Sequence, residues 1–231
     1  GASYGAVGLV LAGEGLGLLI GDIPGGVLIN RVGHKRTMLL GLAVVILATT
    51  SLSWAPTVWV AVPLRILSGF GHALFGVTQH TYIASAVSLG ARGRAIALHG
   101  GIQRIGAFLG PMAGGAFAAV LGLRPTFLLF GATGLVALAA LAIFLQAPAI
   151  PSAAPGATGN VASLWATVVA RYRVLAVAGV GQLLAQMIRN GRSSVLPLYA
   201  ADVVGLHVNQ IGLVVSLASA IDMSLFYPAG W

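Results

Sequence analysis

The sequence predicts an all-α protein that crosses a membrane several times. Three observations predict it. Only 7% of the 231 residues are charged and 58% are hydrophobic. A soluble domain carries roughly 25% charged residues, so this chain cannot cover itself with a charged surface, and lipid replaces water around it. The apolar residues also come in long continuous runs without the in–out alternation of barrel strands. In lipid every backbone amide must be satisfied within a helix or a closed barrel, which makes these runs helices. The third observation is that most of the cations fall between the runs, and on one side.

Seven runs approach the ~20 residues needed to span a bilayer. They cover 4–29, 37–54, 58–88, 95–121, 125–145, 174–199 and 209–231. In the first, Gly13, Gly17, Gly21 and Gly25 recur every four residues and form a small-residue face on which another helix can pack or slide. The same run carries Glu14 and Asp22. A carboxylate at mid-membrane costs ~2.5–3.5 kcal/mol on insertion scales, so each is either protonatable or a paired structural group.

The third run spaces Arg65, His72 and Gln79 by heptads, with Ser68 on nearly the same face. A guanidinium in a span demands an acceptor. His72 titrates or serves as a hydrogen-bonded packing residue. In the fourth run His99 and Gln103 share a face beside Arg104, and Gly106, Gly110 and Gly114 repeat around Pro111, which predicts a bend with close packing. The sixth carries a polar row of Gln182, Gln186 and Arg189, followed by Gly191, where the helix is expected to break. This row either lines a substrate path or makes structural hydrogen bonds. Asp222 is a further carboxylate, in the seventh run.

Residues 146–160 hold three prolines and no charge and read as a flexible linker, while 161–173 suit a short amphipathic helix on the membrane surface. The resulting organisation is an N-terminal bundle at 1–145, a linker at 146–173 and the start of a second bundle at 174–231.

Of the twelve Lys and Arg residues, Arg31, Lys35, Arg36, Arg92, Arg94, Arg171 and Arg173 fall in connections separated by two crossings, hence on one face; Arg124 stands alone on the other. This is a positive-inside bias that places the connections at 30–36, 89–94 and 146–173 in the cytoplasm. The high pI therefore needs no nucleic acid. A shift of 204 positions lays Gly8, Leu9, Val10, Pro24 and Gly26 over Gly212, Leu213, Val214, Pro228 and Gly230, as expected of parallel repeats in a transporter.

The stretch "GGVLINRVGHKR" resembles the signature loop of major facilitator superfamily transporters through Gly26, Arg31, Gly33, Lys35 and Arg36. Asn30 stands where the family usually has Asp. "RILSGFGHA", from Arg65, is similar to the family's fourth-helix motif at Arg65, Gly69 and Gly71, and departs from it at Ser68 and His72. "GAFLGPMAGG" resembles the fifth-helix motif of antiporters at Gly106, Gly110, Pro111, Gly114 and Gly115. The resemblance covers the whole chain, which is then expected to be helices two to eight of twelve in a helical bundle, cut at both ends.

The resemblance implies transport by alternating access, with Gly26, Asn30, Arg31, Gly33, Lys35 and Arg36 as a conformational latch. The alternative for these cations is a topology signal alone. It further implies a proton-coupling role for Arg65, the alternative being an Arg that pins helices together; the residues themselves make Glu14 or Asp22 its available carboxylate and His72 and Asp222 additional proton-coupling candidates. Gln103, Arg104, Gln182, Gln186 and Arg189 are candidates for the substrate path. Efflux of a drug-like or metabolite molecule by proton antiport is the expected activity; import of an organic anion by symport and a transport-dead receptor or scaffold are the alternatives. The expected partners are the plasma-membrane bilayer, a small-molecule substrate and protons. The sequence has no nucleotide-binding glycine loop, no metal-ligand cluster and no assembled nucleophilic triad, so neither an enzyme nor a cofactor is expected.

Overall fold

The computed structural model describes residues 3–145 and 169–229, excluding the side chains at 174, 175, 178, 192, 194 and 222–229. Seven α-helices occur among the described residues. They are α1 (Tyr4–Val32), α2 (His34–Ser51), α3 (Val58–Ala86), α4 (Arg92–Leu121), α5 (Leu123–Phe144), α6 (Tyr172–Asp202) and α7 (Val208–Ala229). Single 3-10 turns, Leu52–Trp54 and Leu89–Ala91, follow α2 and precede α4. Each apolar run has become a helix whose ends fall within three residues of the predicted ones. The linker expected at 146–160, and 161–168 of the expected surface helix, lie outside the described residues; 169 and 170 are helical.

Among the described residues, five helices are long and apolar enough to cross a membrane: α1, α2 with its turn, α3, α4 with its turn, and α5. Helix α6 is longer than most but carries Gln182, Gln186, Arg189 and Asn190 in its middle. The described apolar part of α7 is the shorter Val208–Ile221. The outward faces are greasy, with Leu19 71%, Trp59 78% and Val120 83% exposed. Such faces would be a liability in water and are at home in hydrocarbon.

Two predicted features are corrected. The connection at 30–36 is not a loop: Asn30 and Arg31 belong to α1, Lys35 and Arg36 to α2, and only Gly33 is non-helical. Gly33 makes the reversal alone because its φ of 84° is open to glycine and strained for other residues. The α4–α5 joint repeats the device at Gly122, φ 89°. In both, a threonine hydroxyl four residues on donates back to the glycine carbonyl at 2.9 Å, Thr37 to Gly33 and Thr126 to Gly122. Helix α6 also runs unbroken through Gly191. A helical glycine costs only about 1 kcal/mol, too little by itself to end a helix of 31 residues.

The described helices form two compact units, residues up to 103 with 117 through α5, and 104–116 with α6 and α7. In the first unit α3 is the centre, packed against α1 on one side and α2 on the other. The contact faces are glycines: Gly13, Gly17, Gly21 and Gly25 of α1 are all buried. A Cβ at Gly21 would stand 2.7 Å from that of Ala73. On the α2 side, a Cβ at Gly41 would lie 2.8 Å from the Gly71 carbonyl oxygen. Between these backbones the buried hydroxyls of Thr49 and Ser68 lie 3.3 Å apart. Helix α5 closes on α2 and the 3-10 turn after it, where Ser53 donates to the Arg124 carbonyl at 3.0 Å.

In the second unit the 104–116 stretch of α4 meets α7. Ser216 donates to the Phe108 carbonyl at 2.7 Å, and Gly115 and Gly212 face each other.

Candidate functional site

The close approach of α1 and α3 puts a carboxylate between two nitrogen bases. Gly13 lies against Val62 and Arg65, and Gly69 lies against the backbone of Glu14. With the helices this near, Glu14 lies within reach of two α3 side chains spaced seven residues apart on one face. Arg65 Nη2 donates to Glu14 Oε2 in an ion pair. His72 Nδ1 lies 3.1 Å from the other oxygen, Oε1. The Arg65 and Glu14 side chains are 21% and 26% exposed, so the cluster is shielded but not sealed. Of the two carboxylates expected to serve Arg65, the structure selects Glu14. Asp22, two turns further along α1, is exposed and joins no ion pair among the described residues.

A cleft of about 610 Å³ opens beside this cluster within the first unit. Its walls include Val10, Leu11, Leu52, Val58 and Phe127, and Arg65 is its one charged lining residue. The pairing of Arg65 with Glu14 therefore borders an otherwise largely apolar space. Nothing in the sequence pattern announced this cleft, because its walls come from the ends of four helices distant in the chain.

The remaining candidates are more dispersed. Gln79 is half-buried and outside the Glu14 cluster. On α4, Gln103 is exposed and Arg104 half-buried. On α6, Gln182 and Arg189 are exposed and Gln186 is half-buried, a continuous row along one helix. Asp222 lies on α7, and its side chain is outside the described residues. No group of three or more His, Cys, Asp or Glu suited to a metal occurs among the described residues.

The family model of the Major Facilitator Superfamily matches residues 1–231. The chain belongs to this superfamily. It resembles the multidrug efflux protein YfmO of Bacillus subtilis, 31% identical over 129 residues that make up 56% of this chain and 32% of that one. It also resembles inositol transporter 4 of Arabidopsis thaliana, 25% identical over 135 residues, 58% of this chain and 23% of that one. The crystal structure of a D-xylose-proton symporter superposes with a TM-score of 0.63 over 95% of this chain and 56% of its own, at 16% identity. That likeness shows the shared helical-bundle fold. The matched stretches span a third or less of the two curated relatives. Membership makes the chain part of a multi-pass integral membrane transporter family rather than an enzyme.

The superfamily motifs fall on helices in the expected order. Gly26, Asn30 and Arg31 occupy the last two turns of α1, and Lys35 and Arg36 the first turn of α2. The fifth-helix motif is corrected in one respect. Helix α4 continues through Pro111, and among the described residues close packing does not follow the Gly106, Gly110, Gly114 row. A Cβ at any of those three would meet nothing within 4 Å among the described residues. The contact runs along Pro111 and Gly115, one residue round the helix. There a Cβ on Gly212 would stand 2.5 Å from the Pro111 carbonyl oxygen. The partner's small residue decides which face closes. Ser216, one turn beyond Gly212, was missed; the Gly-x-x-x-Ser spacing on α7 is the signal that could have found it.

Proposed function

We propose that this superfamily chain takes part in proton-coupled efflux of a drug-like or metabolite molecule by alternating access. The observation that carries this reading is the Glu14 carboxylate held by both Arg65 and His72 inside apolar helices. Such a cluster has two states. Ionised Glu14 neutralises Arg65; protonated Glu14 loses its charge and leaves the guanidinium to find another anion or water. A proton thereby becomes a change in which groups bind each other across the α1–α3 contact. The cleft beside Arg65 gives the cluster an apolar approach.

In this reading Glu14, Arg65 and His72 form the coupling centre, with Asp22 and Asp222 as secondary candidates. Gln103, Arg104, Gln182, Gln186 and Arg189 line the substrate path. Gly26, Asn30, Arg31, Gly33, Lys35 and Arg36 form the switch at the cytoplasmic ends of α1 and α2. Asn30 accepts hydrogen bonds but supplies no charge to that switch. Residues 1–145 act as one bundle, 146–173 as a linker, and 174–231 as the start of the second, in the plasma membrane. The likeness to a multidrug efflux protein supports the outward direction. Import by symport is the second reading, supported by the names of the D-xylose-proton symporter and the inositol transporter.

The test is flux in proteoliposomes with an imposed proton gradient, comparing a fluorescent hydrophobic cation with radiolabelled inositol and xylose. Efflux predicts movement of the cation against the proton flow, abolished in Glu14→Gln. Sugar movement with the protons selects symport. If the unmodified protein moves none of the probes and no protons, the transport-dead receptor replaces both readings.

A further inference from the structure

The cleft of about 610 Å³ in the first unit falls within the ~300–1,000 Å³ of small-molecule sites. Its two ends differ in chemistry. Leu52, Val58 and Phe127, at or near helix ends, are apolar. Arg65 lies seven residues into α3 from Val58, about 10 Å along the axis, with Ala61 between them. No acid lines the space. None can be brought to it by α2, α3 or α5, since no Asp or Glu occurs between Asp22 and Asp202. Near Leu52, Arg124 of α5 is exposed, its carbonyl tied to Ser53. The cleft is thus apolar along its walls and cationic where it carries charge.

Arg65 is braced rather than packed away. A Cβ at Gly13 would stand 3.4 Å from the Arg65 Cβ, so the α1 backbone holds the stem. A guanidinium has five N–H donors in a planar fork. Among the described residues its one hydrogen bond is from Nη2 to Glu14. The side chain is 21% exposed and lines the cleft. A carboxylate entering there meets donors whose spacing matches its own two oxygens, while the walls accept an apolar body. A neutral head gains less from the guanidinium, and a cationic head is repelled by it.

We propose that this cleft binds an apolar monocarboxylate, with the carboxylate on Arg65 and the hydrocarbon body against the apolar walls, a site that deepens the proton-coupled reading above and rests on it. Binding takes up a proton. A second carboxylate on Arg65 releases Glu14 from its ion pair, and an unmatched carboxylate among apolar helices is costly until it is neutralised. The proton is shared between Glu14 Oε1 and His72 Nδ1, 3.1 Å apart. Glu14 of α1 and Arg65 and His72 of α3 make up the cluster; α2 and its turn bring no charged or titratable group to the cleft wall, and α5 brings Arg124 near Leu52. By linkage, an apolar acid binds more tightly as pH falls, as long as it stays ionised.

The test uses three probes with one body and different heads: 4-phenylbutanoate, 4-phenylbutanamide and 4-phenylbutylamine. Each is titrated calorimetrically into the protein in nanodiscs, with empty nanodiscs as the blank, in two buffers of different ionisation enthalpy so that protons are counted. The acid is expected to saturate at one per chain with proton uptake, and the amide and amine to bind at least roughly tenfold more weakly, the worth of a charge-assisted hydrogen bond. Arg65→Gln should lose a similar factor. Ala61→Phe fills the cleft and should also lose it, while Val60→Phe, outside the cleft wall, should change affinity by less than about twofold. Glu14→Gln should keep binding the acid but without proton uptake, which shows that the site survives when its anion is removed. The site is overturned by no saturation with the acid, by an amide that binds as tightly, or by equal effects of Ala61→Phe and Val60→Phe. Proton uptake that persists in Glu14→Gln overturns the coupling to Glu14. Binding with proton uptake but no flux leaves this site standing and removes the efflux reading; flux without binding does the reverse.

Discussion

Gly69 of α3 rests on the backbone of Glu14: a Cβ at position 69 would stand 2.9 Å from the Glu14 carbonyl carbon. The contact that seals the two helices is thus the one that positions the carboxylate. Gly69→Ala is expected to force α1 and α3 apart and to destabilise the protein by about 1–3 kcal/mol, the usual cost of overpacking. A Cβ at Gly15 of α1 would meet nothing within 4 Å among the described residues, so Gly15→Ala should leave stability unchanged or slightly raise it through helix propensity. Thermal unfolding in detergent distinguishes the two, and equal effects would mean that the α1–α3 contact is not tight.

Glu14 and Arg65 should behave as a unit. Removing one partner leaves the other charged and unmatched beside apolar helices; removing both leaves nothing to match. Glu14→Gln and Arg65→Gln are each expected to destabilise, and the double variant to destabilise by less than their sum. The coupling should fall within about 0.5–3 kcal/mol, the range for residues in direct contact. His72→Ala should have a smaller effect, since His72 keeps one oxygen company while Arg65 supplies the charge. Additive losses in a double-mutant cycle would show that the pair carries no interaction in the membrane protein.

The spans and the Glu14 site were legible in the sequence to different depths. Apolar length alone marks α1 to α5, because crossing a bilayer fixes the number of residues needed. The heptad spacing of Arg65 and His72 placed both on one face, and the shortage of carboxylates left only Glu14 and Asp22 as partners. What was not legible depends on the partner helix. The Gly106, Gly110, Gly114 row has the better pattern, yet α7 meets Pro111 and Gly115. A one-residue rotation about the axis leaves the sequence spacing unchanged. The cleft beside Arg65 was hidden for the same reason, since it belongs to four helix ends at once.

The joints at Gly33 and Gly122 are expected to respond alike. Both glycines sit at φ near +85°, and alanine there stores backbone strain of about 1–3 kcal/mol. Thr37→Val and Thr126→Val each remove one hydroxyl-to-carbonyl bond, worth about 1 kcal/mol, without altering the backbone. A stability series over the four variants should rank both glycine changes at or above both threonine changes. Tolerance of alanine at both joints would mean that the reversals use another backbone geometry.

The chain has no cysteine, so single introduced cysteines report which side of the membrane a residue faces. From the joint at Gly33, α2 runs across and α3 returns to the start of α4. Cysteines replacing Arg36 and Arg94 should therefore react with an impermeant maleimide from the same side, and one replacing Arg124 from the other. Labelling of 36 and 94 from the cytoplasmic side of inverted vesicles would support the proposed orientation. Labelling of 36 and 94 from opposite sides would remove one of the crossings between them.

Packing of α4 on α7 gives the sharpest separation between pattern and contact. Gly114 and Gly115 are neighbours in sequence, and both belong to the fifth-helix motif. A Cβ at 114 would meet nothing within 4 Å among the described residues, whereas one at 115 would stand 3.1 Å from the Val208 carbonyl oxygen and 3.4 Å from the Gly212 Cα. Gly115→Leu should then prise the two helices apart and weaken the Ser216 bond to Phe108, about two turns away along α4. Gly114→Leu should be absorbed at the surface. Disulfide formation between cysteines placed at 108 and 216 reads the contact directly: efficient cross-linking in the otherwise unmodified background, loss of it with Gly115→Leu, and retention with Gly114→Leu. If leucine at 114 breaks the cross-link and leucine at 115 does not, the helix face predicted from the glycine row is the true contact and the Pro111–Gly115 face is wrong.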